Sequence, residues 1–183
     1  MKRLGNIEEI ERLFAEHGGL HYGEDVTLIE HSVQCASLAE ADRAPPSLII
    51  ASLLHDIGHL FESEADATTR DHRHQLTGAD ALADLFDEAV CQAVALHVDA
   101  KRYLCHREPR YFEMLSAASK ETLRLQGGIF TAAEAAAFEK LPGWGDAVAL
   151  RRYDDEGKSD ELSARSFAEF VPVMRALMIS RTK

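Results

Sequence analysis

The sequence predicts an all-α fold. Apolar residues recur at three- and four-residue spacing, capping signals precede several of those stretches, and no segment shows a convincing strand alternation. No internal repeat, low-complexity tract or shift of composition divides the 183 residues, so a single domain over 1–183 is expected.

The elements follow in order. Asn6 with Glu9 resembles a capping box, and Ile7, Ile10, Leu13 and Phe14 form a helical stripe that Gly18 and Gly19 end. Thr27 with Glu30 repeats the capping signal for a helix running to about residue 41, on which His31, Gln34, Cys35 and Leu38 share a face. Pro45 and Pro46 open the central helix, since proline is tolerated in a first turn. Residues 48–61 read LIIASLLHDIGHLF, apolar almost all round until His55 and Asp56, so this helix should be buried and should end near Gly58 to Leu60. The polar run over 61–73 reads as a loop. Residues 75–86 and 88–98 read as two consecutive helices, the second carrying His97. Pro109 opens a short helix holding Tyr111, Phe112 and Leu115, and another spans 116–126 up to Gly127-Gly128. Thr131 with Glu134 caps a further helix that ends before Pro142. Helices over 146–155 and 164–180 complete the set, the last with Phe167, Phe170, Val171, Met174 and Leu177 as its buried stripe.

Composition is that of a soluble globular chain, 46% apolar and 28% charged. The net charge of −11 disfavours nucleic acid or an anionic membrane surface as a partner, while leaving room for a small anion in a locally basic pocket. Cys35, Cys91 and Cys105 lie far apart with no CxxC, which excludes a disulfide framework or zinc ribbon; Cys35 and Cys91 read as small core residues. The N-terminal MKRLGNIEEIER lacks a signal-peptide run and no stretch is long enough to span a membrane, so a cytoplasmic location is expected.

Burying a carboxylate beside an imidazole is costly unless both are paired or bind metal. A lone buried histidine is more often a satisfied core residue, but of the nine histidines four, His31, His55, His74 and His97, stand in helical contexts beside apolar residues. Their separations are long, so packed helices would have to assemble the site, as in bundle metal centres. Asp56 and Asp154 are the natural carboxylate partners, and a carboxylate can bridge two cations where an imidazole cannot. Four imidazoles and two carboxylates without a thiolate suit iron, manganese or zinc better than Mg²⁺ or Ca²⁺.

The series His31, His55-Asp56, His74, His97 and Asp154 resembles the HD-domain metalloproteins, whose fold is a helical bundle around a mono- or dinuclear metal site. More narrowly, YGEDVTLIEHSVQCA, LLHDIGHL, HQLTGA, LHVDAKRYL, LSAASKETLRLQGG and LRRYDDEGK, in order from about residue 22 to 158, resemble the phosphonate-cleaving HD-domain oxygenases, relatives of myo-inositol oxygenase. The resemblance implies two irons, one ferrous and one ferric: His31, His55 and Asp154 on one, His74 and His97 on the other, Asp56 bridging. It implies that His59, Lys101, Ser119, Thr122, Gln126 and Arg151 bind the phosphonate, with His59 and Lys101 as catalytic groups. A lysine point charge, hydroxyl donors and an arginine fork suit that anion. It also implies that Glu24 meets a substrate amino group. In one place the chain departs from the family pattern. The family tyrosine three residues before this glutamate, which caps an iron until substrate arrives, is His21 here, with Tyr22 next to it. Either can serve, or the gate is absent. Tyr153 stands where the family commonly has tryptophan.

The function expected is oxidative cleavage of a small aminated 1-hydroxyphosphonate by O₂ to phosphate and a carboxylic acid, in a monomer or weak dimer. The alternatives are an HD-domain phosphohydrolase acting on a nucleotide or small phosphate ester, and a metal-dependent ligand-binding protein without turnover. Oxygen uptake separates the first from the second, and binding without turnover marks the third.

Overall fold

The computed structural model describes residues 3–21, 25–61, 73–159 and 165–179. Among them are ten α-helices and two 3₁₀ turns, with no strand. Helix α1 (Ile7–His17) is capped by Asn6, whose side chain accepts the Glu9 amide, and buries Ile7, Ile10 and Phe14. The capping box does not close, because Glu9 accepts from the Gly5 amide instead. In α2 (Leu28–Ala41) the Thr27–Glu30 box is complete, and His31 to Ala36 are buried.

Helix α3 (Pro46–Leu54) starts at the second proline and is buried from Leu48 to Leu54. It ends earlier than its apolar pattern suggests. His55 is the C-cap, and a 3₁₀ turn, Ile57–Phe61, follows. This turn runs straight onto the start of α4 (His74–Leu82): a Cβ at Gly58 would stand 1.9 Å from the His74 carbonyl oxygen. Only glycine permits that approach. The expected loop over 61–73 falls mostly on 62–72, outside the described residues.

Helix α5 (Glu88–Arg107) is twenty residues long, well beyond the expected end at 98. Its apolar face simply continues. Val90, Ala93 and Val94 enter one core, while Ala100, Tyr103 and Leu104 enter a second one with Tyr111, Leu123, Phe130 and Phe138. His97 lies between the two sets. Helices α6 (Tyr111–Met114), α7 (Ala117–Leu125) and α8 (Ala132–Phe138) build around that second core. Helix α9 (Trp144–Glu156) returns along α5.

The expected last helix over 164–180 is two pieces, a 3₁₀ turn at Phe167–Phe170 and α10 (Val171–Leu177). Pro172 lies in the first turn of α10 and has no N–H to continue the ladder. Of the expected stripe, Phe170 and Met174 are fully buried, and Phe167, Val171 and Leu177 pack partly buried on the same core. Phe14, Phe86 and Phe170 are among its largest fully buried side chains, each contributing roughly 1.5–3 kcal/mol.

Helices α2, α3, α5 and α9 pack in a ring, each against the next, with α4 laid on α5. Among the described residues no helix is long and apolar enough to cross a membrane.

Candidate metal centre

The ring of helices brings all six residues of the histidine–aspartate series together. His31 comes from α2, His55 and Asp56 from the end of α3, His74 from the start of α4, His97 from α5 and Asp154 from α9. They converge in two lobes. In the first, His31 Nε2 lies 3.2 Å from His55 Nε2 and 3.3 Å from Asp154 Oδ1, and His55 Nε2 lies 3.3 Å from Asp56 Oδ2. In the second, His74 Nε2 lies 3.2 Å from His97 Nε2, and the two stand 3.3 and 3.6 Å from Asp56 Oδ1. Asp56 thus offers one oxygen to each lobe.

Each imidazole orientation has a local cause. His31 Nδ1 lies 2.7 Å from the Gly157 carbonyl, His55 Nδ1 2.9 Å from Ser52 O and His97 Nδ1 2.8 Å from Val94 O. A carbonyl only accepts, so Nδ1 carries the proton and Nε2 turns a lone pair inward. Gly157 permits the first of these contacts, since a Cβ there would meet Cys35 Sγ at 2.6 Å. Arg73, just before His74, is left-handed at φ 51°, a strained conformation for a residue with a Cβ.

Lone pairs that face each other at 3.2 Å repel unless a cation or proton stands between them. Donors about 2.1 Å from one ion at 90–110° lie roughly 3.0–3.5 Å apart, so the spacing in each lobe fits an ion. Electrostatics in the bare protein point the same way. Burial alone would depress His55, but Asp56 and then Asp154 outweigh it and push it to about 9. Burial, then the neighbouring histidine charges, lowers His74 and holds His97 far below its usual value. Burial would raise both aspartates, yet His55 with His74 on Asp56, and Arg151 with Lys158 on Asp154, drive them well below the carboxylate range. The cluster is therefore two carboxylates and mostly neutral imidazoles, which is a cation-binding set. Cys35 also approaches His31 and His55. Its thiol donates to the Tyr153 carbonyl at 3.4 Å, and burial pushes it up, so it stays protonated beside the site. His59 offers a ring nitrogen near Asp56 and His74, and its ring stacks on His74 at 4.0 Å.

A polar cluster adjoins the site. Lys101, one turn after His97, donates to Thr122 Oγ1 at 2.9 Å. Ser119 Oγ lies 3.3 Å from Arg151 Nη2 and 3.2 Å from Lys158 Nζ, and Lys158 also stands 3.4 Å from Asp154 Oδ1. Lys101 is buried, and that burial, with Arg151 nearby, lowers it to about 7. The N-cap of α7 is Ser116, whose side chain accepts the Ser119 amide, so the Ser119 hydroxyl is not the cap. Gln126 is the C-cap of α7, and its buried Oε1 has no hydrogen-bond partner among the described residues.

The structure thus gathers His59, Lys101, Ser119, Thr122 and Arg151 beside the histidines, while His21 is exposed, near enough to Glu30 to act on its charge. Tyr22 and Glu24 lie outside the described residues. Sequence reasoning missed Lys158, although it stands one turn after Asp154 at the usual i, i+4 spacing. It also missed Tyr111 and Asp155, which both bond Arg151. The DDEGK spacing held a signal for Lys158 and Asp155, but nothing local marked Tyr111.

Comparison with known proteins agrees with this geometry. The HD domain family model matches residues 28–135. A [1-hydroxy-2-(trimethylamino)ethyl]phosphonate dioxygenase (glycine-betaine-forming) of Leisingera caerulea is 40% identical over 180 residues, covering 95% of this chain and 91% of the relative. A hydroxymethylphosphonate dioxygenase of Gimesia maris is 42% identical over 168 residues, covering 90% and 84%. An uncharacterised protein of Acanthamoeba polyphaga mimivirus is 36% identical over 161 residues, covering 85% and 74%.

Proposed function

The chain belongs to the HD-domain family and stands with its phosphonate dioxygenases, and from that premise we propose that it cleaves the C–P bond of a small aminated 1-hydroxyphosphonate with O₂. The products are phosphate and a carboxylic acid. At C1 a C–H and a C–P bond break, a C–O and a P–O bond form, and one O₂ per turnover balances the atoms.

The observation that carries this reading is the pairing of a two-lobed histidine–aspartate cluster with a small cationic and hydroxyl pocket around Ser119. Two irons are the proposed occupants, held by His31, His55 and Asp154 in one lobe and by His74 and His97 in the other, with Asp56 shared. An iron pair supplies electron exchange with O₂, which a purely hydrolytic cation does not. Lys101, Thr122, Ser119, Gln126 and Lys158 take the phosphonate oxygens, and Arg151 backs them through Ser119. Gln126 Oε1, buried and unpartnered, accepts from a protonated phosphonate or the substrate hydroxyl. His59, stacked against His74, is placed to take the hydroxyl proton at C1. Glu24 provides the anion for the nitrogen end.

The two named dioxygenases share a hydroxyphosphonate and differ at the other end, one bearing a trimethylamino group and the other none. The nitrogen preference therefore rests on residues 21–24. A single domain, monomeric or weakly dimeric and cytoplasmic, completes the proposal.

The test is anaerobic iron loading, then O₂ and a panel of 1-hydroxyphosphonates, with phosphate release and O₂ uptake measured together. Matched uptake and release, fastest for an aminated member, is expected. Phosphate release undiminished without O₂ would instead establish hydrolysis.

A further inference from the structure

Arg151 spends nearly its whole fork on protein groups. Its Nε–H donates to the Tyr111 hydroxyl at 3.0 Å, Nη1 to Asp154 Oδ2, and Nη2 to both Asp155 Oδ1 and Ser119 Oγ, the last at 3.3 Å. Tyr111 in turn donates its O–H to Asp155 Oδ2. Arg151, Tyr111 and Asp155 therefore close a three-membered ring of hydrogen bonds. The same guanidinium joins Asp154, in the histidine cluster, to Ser119, in the polar pocket.

We propose that Tyr111 and Asp155 are positioning residues: they fix the plane of the Arg151 guanidinium so that Asp154 and Ser119 are held in register. The guanidinium is rigid and planar, so any rotation that frees one N–H displaces the others together. Tyr111 and Arg151 are each 3% exposed, so an N–H deprived of its partner there would have little access to water. Burial pushes the Tyr111 phenol up, which keeps its O–H as the donor to Asp155. The two residues arrive from different elements. Tyr111 opens the four-residue helix α6, anchored in the second core, while Asp155 follows Asp154 on α9. Both also line a cavity of about 250 Å³ with Met114, Leu115, Arg152 and Glu156, so the pair forms part of the wall between that cavity and Arg151. One phenolic oxygen that touches no substrate thus sets the alignment between the anion pocket and the histidine cluster.

This inference rests on the proposed phosphonate pocket, so Lys101→Ala serves as a control for that reading. The variants are Tyr111→Phe, Asp155→Asn and their double. The readouts are iron content, inorganic phosphate binding to the iron-loaded protein by calorimetry, and KM and kcat for the hydroxyphosphonate. Tyr111→Phe removes one oxygen and keeps the packing. It is expected to retain iron, to weaken phosphate binding about tenfold as loss of a hydrogen bond to a charged group does, and to raise KM more than it lowers kcat. Asp155→Asn should do the same, and the double variant should be little worse than either, because each single change already opens the ring. Unchanged phosphate affinity in both single variants, with Lys101→Ala weakened, overturns the positioning role alone. Unchanged affinity in Lys101→Ala as well overturns the pocket itself. Additive losses in the double variant, or weakening only where iron is lost, also overturn the ring.

Discussion

Asp56 is the residue on which the centre turns, because its two oxygens face different histidine pairs, each at a closest 3.3 Å. Asp56→Ala is expected to lose at least one metal per chain and all activity; metal analysis showing full occupancy of both lobes would refute the shared role. Lys101 gives a pH prediction. Its folded value of about 7 lies below the ordinary 10.5, so between those values the unfolded chain holds a proton that the folded chain has released. Stability should therefore rise with pH across that window. Anion binding should fall there, because binding needs the protonated amine. A sulfonate analogue, whose charge is fixed, should bind more weakly as pH rises above about 7, and Lys101→Arg should abolish that dependence; a flat wild-type profile would count against Lys101 as the anion's partner. At this scale the sequence could not separate Lys101 from Arg102. Neighbours on a helix diverge by about 100°. That angle buries Lys101 beside Thr122 and sends Arg102 to the Gly127 and Gly128 carbonyls and over the Phe130 ring.

Element boundaries depend on what lies opposite. The end of α3 is set by the contact between Gly58 and the His74 carbonyl, which no local pattern announces. Gly58→Ala should force these segments apart, costing about 1–3 kcal/mol as overpacking does, and should weaken metal binding through His74; an unchanged melting temperature together with unchanged metal affinity would show that the turn yields freely. Thr27→Ala offers a contrast at the other end of the helix that carries His31. Losing its capping box should cost about 1 kcal/mol and leave metal stoichiometry alone, as chemical denaturation and metal analysis would show. Capped starts such as Thr27 and Thr131 were legible because the signal is local, three residues apart. The long α5 was not, because its last turns are held by a second core drawn from residues 111–147.

At the scale of the whole molecule, the centre ties together α2, the end of α3, α4, α5 and α9, so metal should act on global stability. Anything bound only by the folded state stabilises it by mass action. Chelation should lower the melting temperature, and readdition of a divalent ion that accepts nitrogen and oxygen ligands should restore it; a melting temperature indifferent to chelation would mean the lobes hold no structural ion. The same dependence should vanish in Asp56→Ala. The sequence by itself determined the helical class, most helix starts, and the inventory of four buried histidines with Asp56 and Asp154. Periodicity, caps and the cost of burying polar groups are local properties, readable over a few residues. Tertiary structure decided which groups share a lobe, that Lys158 joins Ser119 and Asp154, and that Arg151 turns its fork toward Tyr111 and Asp155. Those contacts join residues 40 apart, such as Tyr111 and Arg151, or 126 apart, such as His31 and Gly157. They form only when the helices pack, because the direction of a side chain across an interface depends on helix rotation and close backbone approach, and neither is written in the spacing along one element.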